Sequence, residues 1–207
     1  MQNHLYIFGE RSTALEIYYS SKSLNVFSNI YFVVPNLSES SIKNTIEHSN
    51  LSKSIVANAK SYFIASMTDT EIKKNSINIG LDAGLKLTSI INPTAHVCES
   101  ANIGLGVYVA AKAVVSSRAS ISDNCIINCG VTVGHDVKIG EFSSLNPGVV
   151  IGGNSTIGKN VLIGANSVIK QGLKISENCK IDAMTYIYFN LKTPSACTSR
   201  NTKILKM

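Results

Sequence analysis

The chain has 207 residues, of which 44% are hydrophobic, 15% charged and 7% aromatic, with a net charge of +6. That is enough for one ordinary domain or two small ones, and too apolar for wholesale disorder. Its apolar runs, such as Ile30 to Pro35, fall well short of the roughly 20 residues of a membrane helix, and Met1-Gln2-Asn3-His4 lacks the basic start and apolar core of a signal peptide.

Residues 1–90 read as a small α/β domain. Leu5 to Phe8 predicts a strand ending in Gly9, and Ser12 to Leu24 a helix spaced by Leu15, Tyr18 and Tyr19, with Ser12 as N-cap. A second buried strand follows over 29–34, a short helix over Ser41–His48, and a third strand over Tyr62–Ser66. Asp69 caps a helix that runs to about Gly84, and Lys86 to Asn92 connects onward. The β-α-β-α-β-α order indicates a parallel sheet of Rossmann type. A strand ending in glycine before a helix offers free N–H groups to a phosphate, and Arg11 offers a charge to an anion. Gly9-Glu10-Arg11-Ser12-Thr13-Ala14 holds a single glycine, however, so a dinucleotide fingerprint is absent.

From Ile91 to Ile187 an aliphatic residue returns at every sixth position, 17 times without an insertion, and all but Leu145 are β-branched. Four residues after each one the side chain is usually small, as in Ala95, Ala101, Ser143 and Ser155, with turn formers between, as in Ile157-Gly158-Lys159-Asn160. Six fits neither a helix nor a heptad. It suits a short strand followed by a sharp corner, three sides closing a coil of about 18 residues whose copies stack as parallel strands. The 97 residues from 91 to 187 then form a triangular prism of a little over five coils. Residues 188–207 read as a basic tail, since 170–207 hold seven of the basic residues against Glu177 and Asp182. Tyr186, Tyr188 and Phe189 lie there without an arginine cluster, so the segment suits an anionic small molecule, or simple solvation, better than nucleic acid. Five cysteines, an odd number with no C-x-x-C, read as buried packing residues in a reducing cytoplasm rather than as a disulfide framework, a zinc site or a nucleophile.

Of the four histidines, His4 and His48 read as surface residues and His96 as structural. His135, in Val133-Gly134-His135-Asp136-Val137, stands between two inward aliphatics and so points outward from a rigid wall. Asp136 could orient its imidazole if a corner intervenes, since adjacent strand residues point oppositely. One coil away, Gly153 follows Gly152, a pair that removes side chains beside the ring, leaves a groove there and exposes a backbone N–H. Asn128 lies one coil side away with Asn146 stacked over it. Corner glycines and asparagine ladders also occur in such prisms for purely structural reasons.

Three segments carry a specific resemblance: Tyr6-Ile7-Phe8-Gly9, Ile90-Ile91-Asn92-Pro93-Thr94-Ala95, and the run from Asn128 to Asp136, continued by Ile139 to Phe142 and Ile163 to Ser167. The chain resembles, over about residues 5–187, bacterial sugar acetyltransferases of the sialic-acid-O-acetyltransferase type (NeuD/PglD-like) in the hexapeptide-repeat acyltransferase superfamily. The resemblance implies a Rossmann-like α/β domain followed by a left-handed parallel β-helix. It implies acetyl transfer from acetyl-CoA to a sugar, by a cytoplasmic homotrimer with sites between neighbouring prisms and no metal. The acceptor is expected to be the amino group of a nucleotide-activated sugar for surface-glycan synthesis, or alternatively a hydroxyl of sialic acid or another sugar. A non-catalytic scaffold and a zinc enzyme of γ-carbonic-anhydrase type are the rival readings; the latter needs three convergent histidines, and the prism has His96 and His135.

On this reading His135 is the general base, Asp136 orients it and the Gly153 N–H stabilises the oxyanion. Asn128 holds the acceptor, with Gly9, Arg11, Ser12 and Thr13 on the sugar side. Ser144, Gly153, Gly164, Ala165 and Ala183 line the acetyl-CoA track, with the basic carboxy-terminal segment toward the CoA phosphates. The family commonly has Gly-x-Ser-Gly-His-Gly where Gly9 to Ala14 stands here, and a second histidine where Ser144 stands.

Overall fold

A computed structural model describes residues 2–37, 42–55, 59–197 and, for the backbone alone, 198 and 201–206. The chain divides into two units, Met1–Pro93 and Thr94–Met207.

In the first unit β1 (Asn3–Phe8) is the centre of a parallel five-stranded sheet. Its partners are β2 (Asn29–Val34), β3 (Thr45–Glu47), β4 (Lys60–Ala65) and β5 (Lys86–Leu87), in the order β3-β2-β1-β4-β5. Leu5, Tyr6, Ile7 and Phe8 are all fully buried, the continuous apolar run expected of a strand covered on both faces. Helix α1 (Ser12–Leu24) begins one residue earlier than its sequence suggested. Arg11 is the N-cap and makes no side-chain capping bond, and Ser12 is already helical. Its buried stripe is Ala14, Ile17, Ser20 and Ser21, whereas Leu15 and Tyr19 are exposed. The short helix expected over Ser41–His48 is absent from its described part. Ser41 lies outside the described residues, Asn44 is left-handed with φ 63°, and the β-branched pair Thr45-Ile46 joins the sheet edge as β3. A four-residue helix, α2 (Leu51–Ser54), follows. The long helix α3 (Thr70–Asp82) is capped as expected, Asp69 Oδ1 accepting from the Ile72 N–H at 2.9 Å. Lys86 to Asn92 is not a plain connector, since it supplies β5 and the strand Ile90–Ile91.

In the second unit two-residue strands recur every six residues and pair in parallel with strands 18 residues away, as Val115 does with Val133 and Val133 with Ile151. They form the three sides of a prism. From Val109 to Ile187 every hexad aliphatic is at most 2% exposed; Ile91, Val97 and Ile103 are half-buried at the start of the series. Buried serines among the small positions are satisfied, Ser143 Oγ donating to the Gly158 carbonyl at 2.8 Å and Ser167 Oγ to the Asp182 carbonyl at 2.7 Å. Every sixth residue from Gly106 to Met184 has a φ between 53° and 77°, so each corner turns through one left-handed residue. Gly and Asn fill most of these places at little cost. Leu191 is buried and bridges Ile175, and the strand Ser195–Thr198 extends one side of the prism before an antiparallel return over Asn201–Lys206.

Candidate functional site

His135 and Asp136 occupy the corner after the strand Thr132–Val133. Asp136 is the left-handed residue there, at φ 59°, and this turn folds its carboxylate back toward the preceding ring. His135 Nδ1 lies 2.8 Å from Asp136 Oδ2. The backbone is clamped from both sides, the Asp136 N–H donating to Ser117 O at 3.0 Å and the Asn154 N–H to His135 O at 2.8 Å. The imidazole is 49% exposed, so the expected outward orientation holds. With Nδ1–H directed at the carboxylate, Nε2 keeps its lone pair for a proton from outside.

Gly153 stands over the ring. A β-carbon at that position would lie 2.5 Å from His135 Nε2 and 2.8 Å from the neighbouring ring carbons, so the space freed by this glycine is taken by the imidazole itself. Gly153 is buried, so the exposed N–H expected there is not found, and that N–H donates to no acceptor among the described residues. Gly134 allows the same close approach from below: a β-carbon there would lie 2.7 Å from the Gly153 nitrogen. The two glycines therefore set a backbone N–H and an imidazole side by side on a stiff wall.

Sequence reasoning missed one member of the site. Arg118, one coil below Asp136, holds its carboxylate with two hydrogen bonds, Nε to Oδ1 at 2.7 Å and Nη2 to Oδ2 at 2.8 Å. The signal was present, since opposite charges 18 residues apart stack in this prism, as Lys159 and Glu141 also do at 3.0 Å. The Arg118 hydrogen bonds, and then that of His135, hold the Asp136 carboxyl far below the ordinary carboxylate range. The same contact raises the Arg118 guanidinium.

The remaining candidates fall elsewhere. Asn128 is half-buried at the preceding corner of the triangle, its Oδ1 accepting from the Cys129 N–H at 2.8 Å. Gly164, Ala165 and Ala183 belong to that same corner two and three coils up. There Ala165 is half-buried, Ala183 is exposed, and Gly164 is buried against the Ala183 backbone. One prism thus does not bring these residues to His135. Ser144 needs correction as a ligand contact. It is 2% exposed and its hydroxyl is buried without a partner, so a substrate in solvent does not reach it. In the first unit Gly9 follows β1 at φ 99°, with Ser66 Oγ where its β-carbon would be, and Glu10 keeps one carboxylate oxygen buried without a partner. Arg11 and Ser12 are exposed and Thr13 half-buried at the start of α1. Of the basic carboxy-terminal residues Lys192 is exposed, while Arg200 and the side chains of Lys203 and Lys206 lie outside the described residues.

Two other histidines differ from expectation. His4 is 1% exposed within β1, its ring stacked 6.0 Å from Tyr31, because both faces of the central strand are covered. His48 is half-buried with its ring 5.6 Å from Phe8, and burial lowers its pKa. No group of three His, Cys, Asp or Glu side chains that could hold a metal occurs among the described residues, and none of their helices is long and apolar enough to cross a membrane.

Comparison places the prism in a known class. Residues 118–153 and 138–171 match the family profile "Bacterial transferase hexapeptide (six repeats)", and residues 155–188 match "Hexapeptide repeat of succinyl-transferase". No curated protein sequence matches the chain significantly. Among solved structures, the acetyltransferase domain of PglB from Neisseria gonorrhoeae FA1090 in complex with acetyl coenzyme A is similar at a TM-score of 0.89 and 24% identity, over 99% of this chain and 100% of that one. A histidine-to-alanine variant of GDP-perosamine N-acetyltransferase from Caulobacter crescentus, in complex with CoA and GDP-perosamine, gives 0.90 and 20% over 99% and 97%. WeeI from Acinetobacter baumannii AYE gives 0.89 and 15% over 99% and 100%. The chain has the fold of these proteins from end to end: a small α/β unit followed by the left-handed parallel β-helix of hexapeptide-repeat proteins, as its sequence predicts.

Proposed function

We propose that the protein transfers an acetyl group from acetyl-CoA to the amino group of a nucleotide-activated sugar. The observation that carries this reading is the exposed His135–Asp136 pair beside the unpaired N–H of Gly153. Nε2 of His135 takes a proton from the acceptor amine as its nitrogen attacks the thioester carbonyl. Asp136 keeps the ring in the tautomer with Nδ1–H and favours the imidazolium that forms. The Gly153 N–H, buried beside the ring and without an acceptor, is the donor proposed for the developing oxyanion. Collapse of the tetrahedral intermediate then expels the CoA thiolate, which receives the proton from His135. The chemistry of the relatives supports the substrate classes, since the PglB domain binds acetyl coenzyme A and the Caulobacter protein binds CoA with GDP-perosamine.

Asn128, Gly164, Ala165 and Ala183 enter this site as part of a neighbouring copy, in a homotrimer whose sites lie between prisms. An exposed apolar column supports self-association: Val150, Val168 and Tyr186 point outward from one side at 38%, 37% and 57% exposure, whereas Lys138, Thr156 and Lys174 occupy the same places on the next side. Gly9, Arg11, Ser12 and Thr13 are proposed to meet the nucleotide sugar, at the amino end of α1. A second reading, O-acetylation of a sugar without a nucleotide such as sialic acid, is favoured by Glu10, whose carboxylate beside Gly9 repels a phosphate.

Calorimetric titration with acetyl-CoA, followed by transfer assays with amino-sugar nucleotides and with free sialic acid, tests the proposal. Acetyl-CoA binding and transfer to an amino-sugar nucleotide are expected. Transfer to sialic acid alone selects the second reading, and no acetyl-CoA binding refutes both.

A further inference from the structure

Left-handed corners in this prism are least costly with Gly or Asn, and Asn124, Asn154, Asn160, Asn166 and Asn178 follow that rule. Lys112, Arg118, Phe142 and Met184 break it, and Arg118, at φ 54°, lies one coil below Asp136, at φ 59°, a residue type that tolerates this turn. The corner does not account for the residue type at Arg118, and its contact with Asp136 is the feature to explain. Fold stability is a weak candidate. The Arg118 side chain is 66% exposed, and a solvent-exposed ion pair contributes little. The pair also differs from the Lys159–Glu141 ladder rung, which is a single contact, in being bidentate and in sharing its carboxylate with a histidine.

We propose that Arg118 is a positioning residue for the base: it fixes the Asp136 carboxylate against Nδ1 of His135 and offsets its charge. This rests on the reading of His135 as the base. The arginine is itself held, its backbone N–H donating to Ser100 Oγ at 3.2 Å, with Cys98 Sγ 3.5 Å from the same hydroxyl. An unopposed carboxylate beside an imidazole favours the imidazolium, and a guanidinium sharing that carboxylate counteracts the effect. The other titratable groups along this corner are Glu99 and Cys98 two coils below His135 and Lys170 two coils above; the positions directly above and below the ring are Gly153 and Ser117. Arg118 is thus the cation in direct contact with the pair.

The test is the pH titration of the His135 ring C2–H resonance, assigned by its loss in His135→Ala, in the intact protein and in Arg118→Gln and Arg118→Lys. Arg118→Gln is expected to move the midpoint upward by roughly half a unit to one unit, with little change in Tm, and Arg118→Lys to restore most of the shift. In transfer assays Arg118→Gln then moves the acid limb of kcat/KM upward by the same amount, costing up to about tenfold below it. An unchanged or lowered midpoint in Arg118→Gln overturns the proposal, whatever the activity. A protein that transfers no acetyl group refutes the assignment of the base, while the resonance titration still decides whether Arg118 tunes the ring.

Discussion

Nδ1 of His135 lies 2.8 Å from Oδ2 of Asp136, although the two residues are consecutive and consecutive strand residues face opposite ways. The left-handed turn at Asp136 resolves the conflict. Replacing Asp136 by Asn keeps the shape but removes the charge that selects the Nδ1–H tautomer. Asp136→Asn should lower kcat by about 10²-fold or more with acetyl-CoA affinity retained, as single-turnover rates and calorimetry would show. The pH profile follows from the depressed carboxyl. A group with a lowered folded pKa contributes stability above its unfolded value and loses it only as pH falls through the folded one. Asp136 therefore stays ionised across neutral and mildly acidic pH, and a loss of kcat/KM in that range does not report its protonation.

Gly153→Ala places a β-carbon 2.5 Å from Nε2, and the clash is with a ring rather than a flexible chain. The imidazole must tilt away. Activity is expected to fall about 10²-fold while Tm changes little, because displacing a catalytic group by an ångström costs that order. Full activity in this variant would remove Gly153 from the site.

The cysteines divide by position. Cys129 is exposed and Cys98 half-buried, and the hydroxyl of Ser100 lowers the Cys98 thiol pKa. Cys125, Cys179 and Cys197 are buried, and burial raises the latter two. A maleimide should label Cys98 and Cys129 within minutes in the native protein, and the other three after unfolding; mass spectrometry of the digested protein reads this out.

In the first unit, α3 crosses β4 at Gly80, where a β-carbon would lie 2.7 Å from the Phe63 ring. Gly80→Val should destabilise this unit by about 1–3 kcal/mol, measured by urea denaturation, since neither the fully buried Phe63 nor the helix backbone has room to move.

Much of this architecture was readable before any coordinates. The hexad aliphatics are packed so uniformly that one residue type at a fixed interval reveals each side of the prism, and the outward placement of His135 follows from its distance to Val133 and Val137. Less regular parts were not. The edge strand Thr45–Glu47 depends on β2 being present to pair with it, and local spacing there is compatible with a helix. His4 is buried because the sheet is covered on both faces, which its neighbours in sequence do not reveal. Arg118 required adding one coil length to each charge and asking which pairs coincide, a purely arithmetic step. Ser144 was misjudged because its burial depends on packing beyond its own hexad.

The most direct measurement is acetyl transfer by His135→Ala alongside its affinity for acetyl-CoA. Loss of about 10²–10⁴-fold in kcat, with binding and Tm preserved, is the result expected of a lost general base. Turnover near that of the unaltered protein would contradict the mechanism.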